Sequence, residues 1–235
     1  MATAAPAAPT NGLAPRTAPV PPGTATGRLS EKVINSPEGG AGVFYAATAA
    51  GTALILGCLG VALALLSAGN VELYDPKAGG VVIPAAFAVG GLGIGTGGLW
   101  NFRAGNLFAG TLGVMYGTLW LSLGLMLLTT GSTVTEAAGP ASFGDAFGTY
   151  LLLWAIVSFG LGAAAWFVAK MVFAAQMLLG LTILCLALGN MAAPGGSGLV
   201  HLGGVLGLIT AASVLYVSMA MIINDTAGKD VLPIV

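Results

Sequence analysis

Residues 41–68 read AGVFYAATAAGTALILGCLGVALALLSA, a stretch of about 28 residues that contains no Asp, Glu, Lys or Arg. A helix needs about 20 residues to cross the hydrocarbon core of a bilayer, which is about 30 Å thick. The stretch is longer than the apolar region of a cleaved signal peptide and begins further from the N-terminus. It therefore predicts a transmembrane helix that the mature protein retains.

Five more apolar runs without charged side chains follow, at 79–100, 107–130, 147–168, 171–191 and 199–223. Strands of membrane β-barrels alternate apolar and polar residues over about 10 positions, and these runs are longer and uniformly apolar. A helix satisfies its backbone hydrogen bonds within one segment, as lipid requires. The sequence therefore predicts an all-α integral membrane protein with six transmembrane helices, and its longest polar loop at 131–146.

The two ends of the chain differ from this core. Residues 1–34 are rich in Ala, Pro, Thr and Gly and have almost no large apolar side chain, which predicts a disordered tail. Residues 35–225 form the predicted six-helix domain, and 226–235 form a short C-terminal tail.

Charged residues predict the orientation, because Lys and Arg concentrate in cytoplasmic segments of membrane proteins. In a six-helix topology one face receives nearly all of them: Arg16, Arg28, Lys32, Arg103, Lys170 and Lys229. The other face receives Lys77 together with Glu72, Asp75, Glu136 and Asp145. Both termini are therefore predicted to be cytoplasmic.

The composition excludes several classes of function. Only 6% of the 235 residues are charged and the net charge is −1, so neither a soluble domain nor a nucleic-acid partner is expected. Cys58 and Cys185 lie in apolar runs and are interpreted as small core residues. With one histidine and no cluster of ligating side chains, no metal or other cofactor is expected. No nucleophile–base pair is visible, so an enzyme is not predicted.

Uncharged helices restrict what a pathway through them can be made of. It must be lined by apolar, aromatic, hydroxyl and amide groups, which suit small solutes better than metal ions. Candidate stripes at helical spacing are Phe44, Thr48 and Thr52; Tyr116 and Trp120; Gln176, Leu179 and Thr182; and Thr210 and Ser213. Packing between helices is the favoured interpretation of any single stripe. The set together favours a narrow pore.

Two polar residue types near helix ends have competing interpretations. His201 is either a proton-linked group, since a histidine titrates near neutral pH, or an interfacial residue that caps or bridges helices. The second interpretation is favoured. Asn106 and Asn190 lie where helices begin or end, and capping is the default interpretation for both.

Several motifs lie between Asn35 and Pro233: Gly105-Asn106-Leu107-Phe108, Tyr116-Gly117-Thr118-Leu119-Trp120, Tyr150-Leu151-Leu152-Leu153-Trp154, Gly189-Asn190, His201, and the tail Val231-Leu232-Pro233-Ile234. In their order and nearly constant spacing they resemble one family, the acetate uptake transporters or succinate–acetate permeases. The match covers most of the chain and is stronger than any single motif.

The resemblance implies six helices per subunit, a pore through each subunit, and a homo-hexamer in the bacterial inner (plasma) membrane. Its implied substrates are acetate and related small carboxylates such as succinate, moved with protons by symport or by channel-like passage. The family's hydrophobic constriction falls on Phe44, Tyr116 and Leu179, with Leu181 as the alternative leucine. Polar groups expected along the pathway are Asn35, Thr48, Thr182, Asn190 and His201.

The chain departs from the family pattern at two places. The family's Asn-Pro-Ala-Pro-Leu-Gly-Leu signature reads Asn35-Ser36-Pro37-Glu38-Gly39-Gly40-Ala41, and Asn101 stands where the family often has Glu. Both changes touch regions expected to shape solute entry.

Two other functions fit the uncharged helices. One is a channel for neutral solutes such as urea, ammonia or glycerol, and the other is a structural membrane subunit without any flux.

Overall fold

The computed structural model describes residues 40–193 and 198–234, with side chains from Ala50 onward. Asn35 and the predicted tail at 1–34 lie outside the described residues. Phe44 and Thr48 lie in helical backbone, and their side chains are not among those described.

Helices account for nearly all of the described chain, as the all-α prediction requires. The α-helices are α1 (Gly40–Asn70), α2 (Val82–Ala85), α3 (Gly95–Arg103), α4 (Leu107–Leu125), α5 (Gly131–Ala165), α6 (Lys170–Ala192) and α7 (Gly198–Ala227). A 3₁₀ turn at Pro76–Val81 precedes α2, and π-helical segments at Ala86–Ile94 and Met126–Thr130 precede α3 and α5. Asn106 accepts a hydrogen bond from Ala109 N at 3.0 Å, so its predicted capping role is confirmed.

Within the described ranges, five continuous helical segments are long and apolar enough to cross a membrane: Ala50–Asn70, Pro76–Arg103, Leu107–Ala165, Lys170–Ala192 and Gly198–Ala227. The third and fourth predicted helices fall together in the Leu107–Ala165 segment. The predicted loop at 131–146 was wrong, because these residues are helical except at Gly139. Thr133 and Thr135 bond the carbonyls four residues earlier, which lets polar side chains remain within a helix.

Gly139 breaks the Leu107–Ala165 segment into two parts that lie against each other. Its φ of 86° and ψ of 160° are not helical, and Pro140 follows. Glycine tolerates a positive φ, and a following proline disfavours helical geometry. Tyr116 bonds Ser158 and Ser122 bonds Tyr150, so contacts move backwards along one part as they move forwards along the other. The two parts are therefore antiparallel neighbours.

Six helices contact one another around a closed ring. In order around the ring, α1 packs on α3, α3 on α4, α4 on α5, α5 on α6, α6 on α7, and α7 again on α1. A ring of this kind leaves an interior that every member can reach with inward-facing side chains.

Small residues set the distance between α3 and α4. A methyl group added at Gly98 would lie 2.5 Å from the backbone nitrogen of Val114, and one at Gly113 would lie 2.5 Å from Cα of Gly98. Membrane helices use such small residues to bring their backbones close together.

Gly98→Ala should therefore lower stability by about 1–3 kcal/mol, because overpacking forces the two backbones apart. Thermal unfolding of the detergent-solubilised protein measures the effect. Gly95→Ala is the matched control, since it lies on the same helix and its added methyl meets no atom within 4 Å. Equal unfolding temperatures for the two variants would contradict this account of the contact.

Candidate functional site

Tyr116 is buried between helices of the ring, and its hydroxyl both donates and accepts a hydrogen bond. The side chain is 1% exposed, and its hydroxyl donates to Ser158 Oγ at 2.9 Å. The same oxygen accepts a hydrogen bond from Nε2 of Gln176. Three helices, α4, α5 and α6, are thus joined at one phenol oxygen.

The stripe predicted on α6 forms one buried face. Gln176 is 5% exposed, Leu179 is 3% exposed and Thr182 is fully buried. By contrast Leu181, the alternative leucine for the constriction, is 44% exposed and faces away from the ring. Leu179 and Tyr116 belong to the same cluster of buried apolar residues. Of the two candidate leucines, Leu179 is therefore the one that is buried in the ring.

A cavity of about 440 Å³ adjoins these residues. Its wall includes Leu56 and Leu59 of α1, Leu112 of α4, Leu179 of α6 and Val214 of α7. The neighbours of α4 in the ring are α3 and α5, so a space that it shares with α1, α6 and α7 lies inside the ring. The volume falls in the range of small-molecule sites.

The cavity extends along α6 from the buried centre to one end of the bundle. Gln176 and Leu179 line it near Tyr116, and Met171 lines it where α6 begins. Ile234 of the C-terminal tail lines the same end. Asn224 holds that tail, because its Oδ1 accepts from Val231 N and Leu232 N, both at 2.8 Å.

Among the described residues, the lining carries no charged side chain. Its polar side chains are Gln176, Thr210 and Ser213, and the others are apolar. Thr210 donates its hydroxyl proton to the Leu206 carbonyl at 2.8 Å, and Ser213 donates to the Ile209 carbonyl at 2.8 Å. Both hydroxyl oxygens keep lone pairs that can accept a hydrogen bond. Among the described residues, no group of three His, Cys, Asp or Glu could hold a metal ion.

Of the predicted polar pathway residues, the three whose side chains the structure describes, Thr182, Asn190 and His201, do not line this cavity. Thr182 donates to the Leu178 carbonyl at 2.9 Å, and Asn190 donates to the Leu186 carbonyl at 2.8 Å near the end of α6. His201 is exposed in the first turns of α7. These three residues are thus separate from the hydrogen bonds that join Tyr116, Ser158 and Gln176.

Two buried polar groups were not predicted from the sequence. Ser158 lies within an apolar run, where only its isolated polarity marks it. Asn101, which follows the predicted run at 79–100, is buried in α3, accepts from Thr52 Oγ1 at 3.3 Å and donates to the Gly97 carbonyl at 2.9 Å. Ser158 lies between Val157 and Phe159 and Asn101 between Trp100 and Phe102, so a lone polar residue between large apolar ones was the available signal for both.

A ring of apolar helices around an uncharged internal cavity defines a class: multi-pass membrane proteins of the transporter and channel type. The model of the GPR1/FUN34/yaaH family matches residues 38–233. The chain belongs to the GPR1/FUN34/yaaH family.

Related proteins support this membership. The succinate-acetate/proton symporter SatP of Escherichia coli K12 is 32% identical over 179 residues, which cover 74% of this chain and 89% of that protein. The ammonia transport outward protein 2 of Saccharomyces cerevisiae is 33% identical over 147 residues, covering 60% of this chain and 51% of that one. Acetate permease A of Emericella nidulans is 26% identical, covering 72% and 60%.

The fold also matches a solved structure, that of the bacterial acetate channel SatP. The TM-score is 0.68 at 28% identity, and the match covers 79% of this chain and 98% of that chain. These relatives are named as a symporter, a transport protein, a permease and a channel, in agreement with the prediction that this chain is not an enzyme.

Ser158→Ala should destabilise the protein by about 0.6–1.7 kcal/mol, the range measured for hydrogen bonds between membrane helices. It removes the acceptor of the Tyr116 proton and so loosens α4 from α5. Ser213→Ala is the matched control, because that hydroxyl bonds only its own helix. Reversible unfolding in mixed detergent measures both, and a control that loses as much stability would argue against an interhelical role for Ser158.

Proposed function

We propose that this protein moves acetate and related small carboxylates, including succinate, across the bacterial inner membrane through a passage inside each subunit. The observation that carries the proposal is the uncharged cavity within the helical ring, which adjoins Tyr116 and Leu179. The printed names of the bacterial relatives, a succinate-acetate/proton symporter and an acetate channel, supply the substrate class.

The proposal includes six membrane crossings. The Leu107–Ala165 segment has 59 residues, and a straight helix of that length would measure about 88 Å. This is nearly three times the thickness of the hydrocarbon core, which is about 30 Å. The break at Gly139 and the antiparallel contacts around it support two crossings in this segment. Six crossings bring both termini to one side, and the distribution of Lys and Arg favours the cytoplasm.

The constriction is assigned to Phe44, Tyr116 and Leu179. The Tyr116 hydroxyl is hydrogen-bonded to Ser158 and Gln176, so the part of Tyr116 that can contact the substrate is its apolar aromatic ring. Leu179 adds an aliphatic wall one turn from Gln176. This apolar constriction, called the waist below, resists the passage of an anion, since a buried charge without partners is costly.

Polar groups on either side of the waist complete the pathway. Asn35, Thr48, Thr182, Asn190 and His201 are proposed to solvate the carboxyl group on its way to and from the waist. Binding at such sites must be weak enough to allow release. Protons travel with the substrate, and the subunits assemble as a homo-hexamer whose exposed apolar faces, such as Leu153 and Ile156, meet lipid or a neighbouring subunit.

Acetate influx into proteoliposomes should rise steadily as the external pH falls from 8 to 5. Well above the pKa of a carboxylic acid, its neutral fraction grows about tenfold for each pH unit. Labelled acetate measures the influx, and protein-free liposomes provide the control for diffusion through lipid. Influx that stays flat over this range, after subtraction of the control, would count against passage of the neutral acid.

A channel for neutral solutes remains the second candidate, because the cavity is uncharged and one relative is named for ammonia transport. Competition separates the two functions. Acetate and succinate should inhibit each other's influx under the proposal, whereas a channel for neutral solutes should carry labelled urea and show no competition between acetate and succinate.

Leu179→Ala should widen the waist and raise influx of the larger succinate severalfold relative to acetate. The substitution removes an aliphatic wall from the buried face of α6. Leu181→Ala is the matched control, because Leu181 has the same side chain on the exposed face of the same helix. If both variants keep the wild-type ratio of succinate to acetate, Leu179 is not part of the waist.

A further inference from the structure

The polar groups of the cavity are few enough to be assigned one by one. Gln176, Thr210 and Ser213 are the polar side chains in its lining, and no Asp, Glu, Lys, Arg or His lines it within the described residues. What the cavity can recognise therefore depends on which of these three can donate a hydrogen bond and which can only accept one.

Thr210 and Ser213 can act only as acceptors toward a ligand. Each hydroxyl has a single proton, and both protons are donated to carbonyls of α7, at Leu206 and Ile209. The hydroxyl oxygens then present lone pairs to the cavity. A carboxylate anion, which offers only acceptors, gains nothing from either residue.

Gln176 is the side chain that can donate. Tyr116 gives its one proton to Ser158, so it must accept from Gln176, which fixes the nitrogen of the amide toward Tyr116. An amide nitrogen carries two protons, and the second remains for the cavity together with the amide oxygen. Gln176 is only 5% exposed, so this donor acts in surroundings of low polarity.

The resulting pattern has one side-chain donor, three acceptor oxygens and no charge. A neutral carboxylic acid fits it, since its carbonyl can accept from Gln176 while its O–H donates to Thr210 or Ser213. The anion does not fit, because it would face three lone pairs with a single donor, and an unpaired buried charge is strongly disfavoured. Tyr116 is the titratable side chain in contact with Gln176, and its hydroxyl is already committed.

We infer that Gln176, with Thr210 and Ser213, selects the neutral acid over the anion, so that the proton crosses on the substrate. This inference rests on the proposed function and names the residue that sets its specificity. It requires no carboxylate or histidine relay in the protein, consistent with six predicted apolar runs that lack Asp, Glu, Lys and Arg. No covalent bond is made or broken, because the acid enters and leaves with its own proton.

Two small analogues test the inference on the wild-type protein. Acetamide is neutral and has a carbonyl and N–H donors in the arrangement of acetic acid, whereas methanesulfonate is permanently anionic. In proteoliposomes at pH 6, an excess of acetamide should lower labelled acetate influx severalfold, and the same excess of methanesulfonate should leave it unchanged. Inhibition by methanesulfonate but not by acetamide would overturn the inference.

Substitutions test whether Gln176 is the residue that selects the neutral acid. Gln176→Leu should lower acetate influx about tenfold, the loss expected for one buried hydrogen-bond donor, and should abolish inhibition by acetamide. Thr210→Val should have a smaller effect, because Ser213 retains an acceptor. Thr118→Val is the matched control, since Thr118 also bonds its own helix but is exposed outside the cavity.

The outcomes separate this inference from the proposed function. Absence of protein-dependent acetate influx in the wild type would refute the proposed function itself. Wild-type influx together with unchanged influx and unchanged acetamide inhibition in Gln176→Leu would refute the inference alone. If Gln176→Leu does not fold, the comparison of acetamide with methanesulfonate in the wild type still tests whether the neutral acid is selected.

Discussion

The hydrogen bonds at the Tyr116 hydroxyl are the interaction on which the centre of this protein depends. They join α4, α5 and α6 at one oxygen, deep in surroundings where an unpaired hydroxyl would be costly. Because the hydroxyl is bonded on both sides, the ring body of Tyr116 is held among apolar neighbours. The same bond orients the Gln176 amide and leaves its second proton toward the cavity. Helix packing and the polarity of the cavity thus share one cause.

A second constraint is the close approach of helices through small residues. Gly97 and Gly98 let α3 contact α1 and α4 at backbone distance, so little space remains between α3 and these two neighbours. The cavity inside the ring is lined by larger side chains such as Leu112 and Leu179. Glycine is abundant in this chain, at 38 residues, because helix contacts in lipid depend on fit more than on a hydrophobic driving force.

Sequence patterns predicted the helices well and their ends less well. Runs such as 41–68 are decided by length and apolarity alone, and α1 covers Gly40–Asn70. The segment at 131–146 was predicted as a loop because Ser, Thr, Glu and Asp occur there, but threonines can bond their own helix and only Gly139 leaves it. Spacing on α6 grouped Gln176, Leu179 and Thr182 correctly on one face, yet the choice between Leu179 and Leu181 required their burial. Ser158 was not foreseen, because a contact between helices distant in sequence leaves no local pattern.

Under the proposed function, a proton must cross a helical ring whose described cavity lining carries no charged side chain, which poses a physical problem. A titratable group in the middle of a bilayer costs at least about 2.5–3.5 kcal/mol, and the described part of the cavity contains none. A weak acid can carry its own proton, provided that the passage prefers the neutral form. Apolarity alone provides some of that preference, but it would admit any small neutral solute. One oriented donor opposite fixed acceptors adds chemical discrimination without charge, and Gln176 can provide that donor only because Tyr116 has already committed its own proton to Ser158.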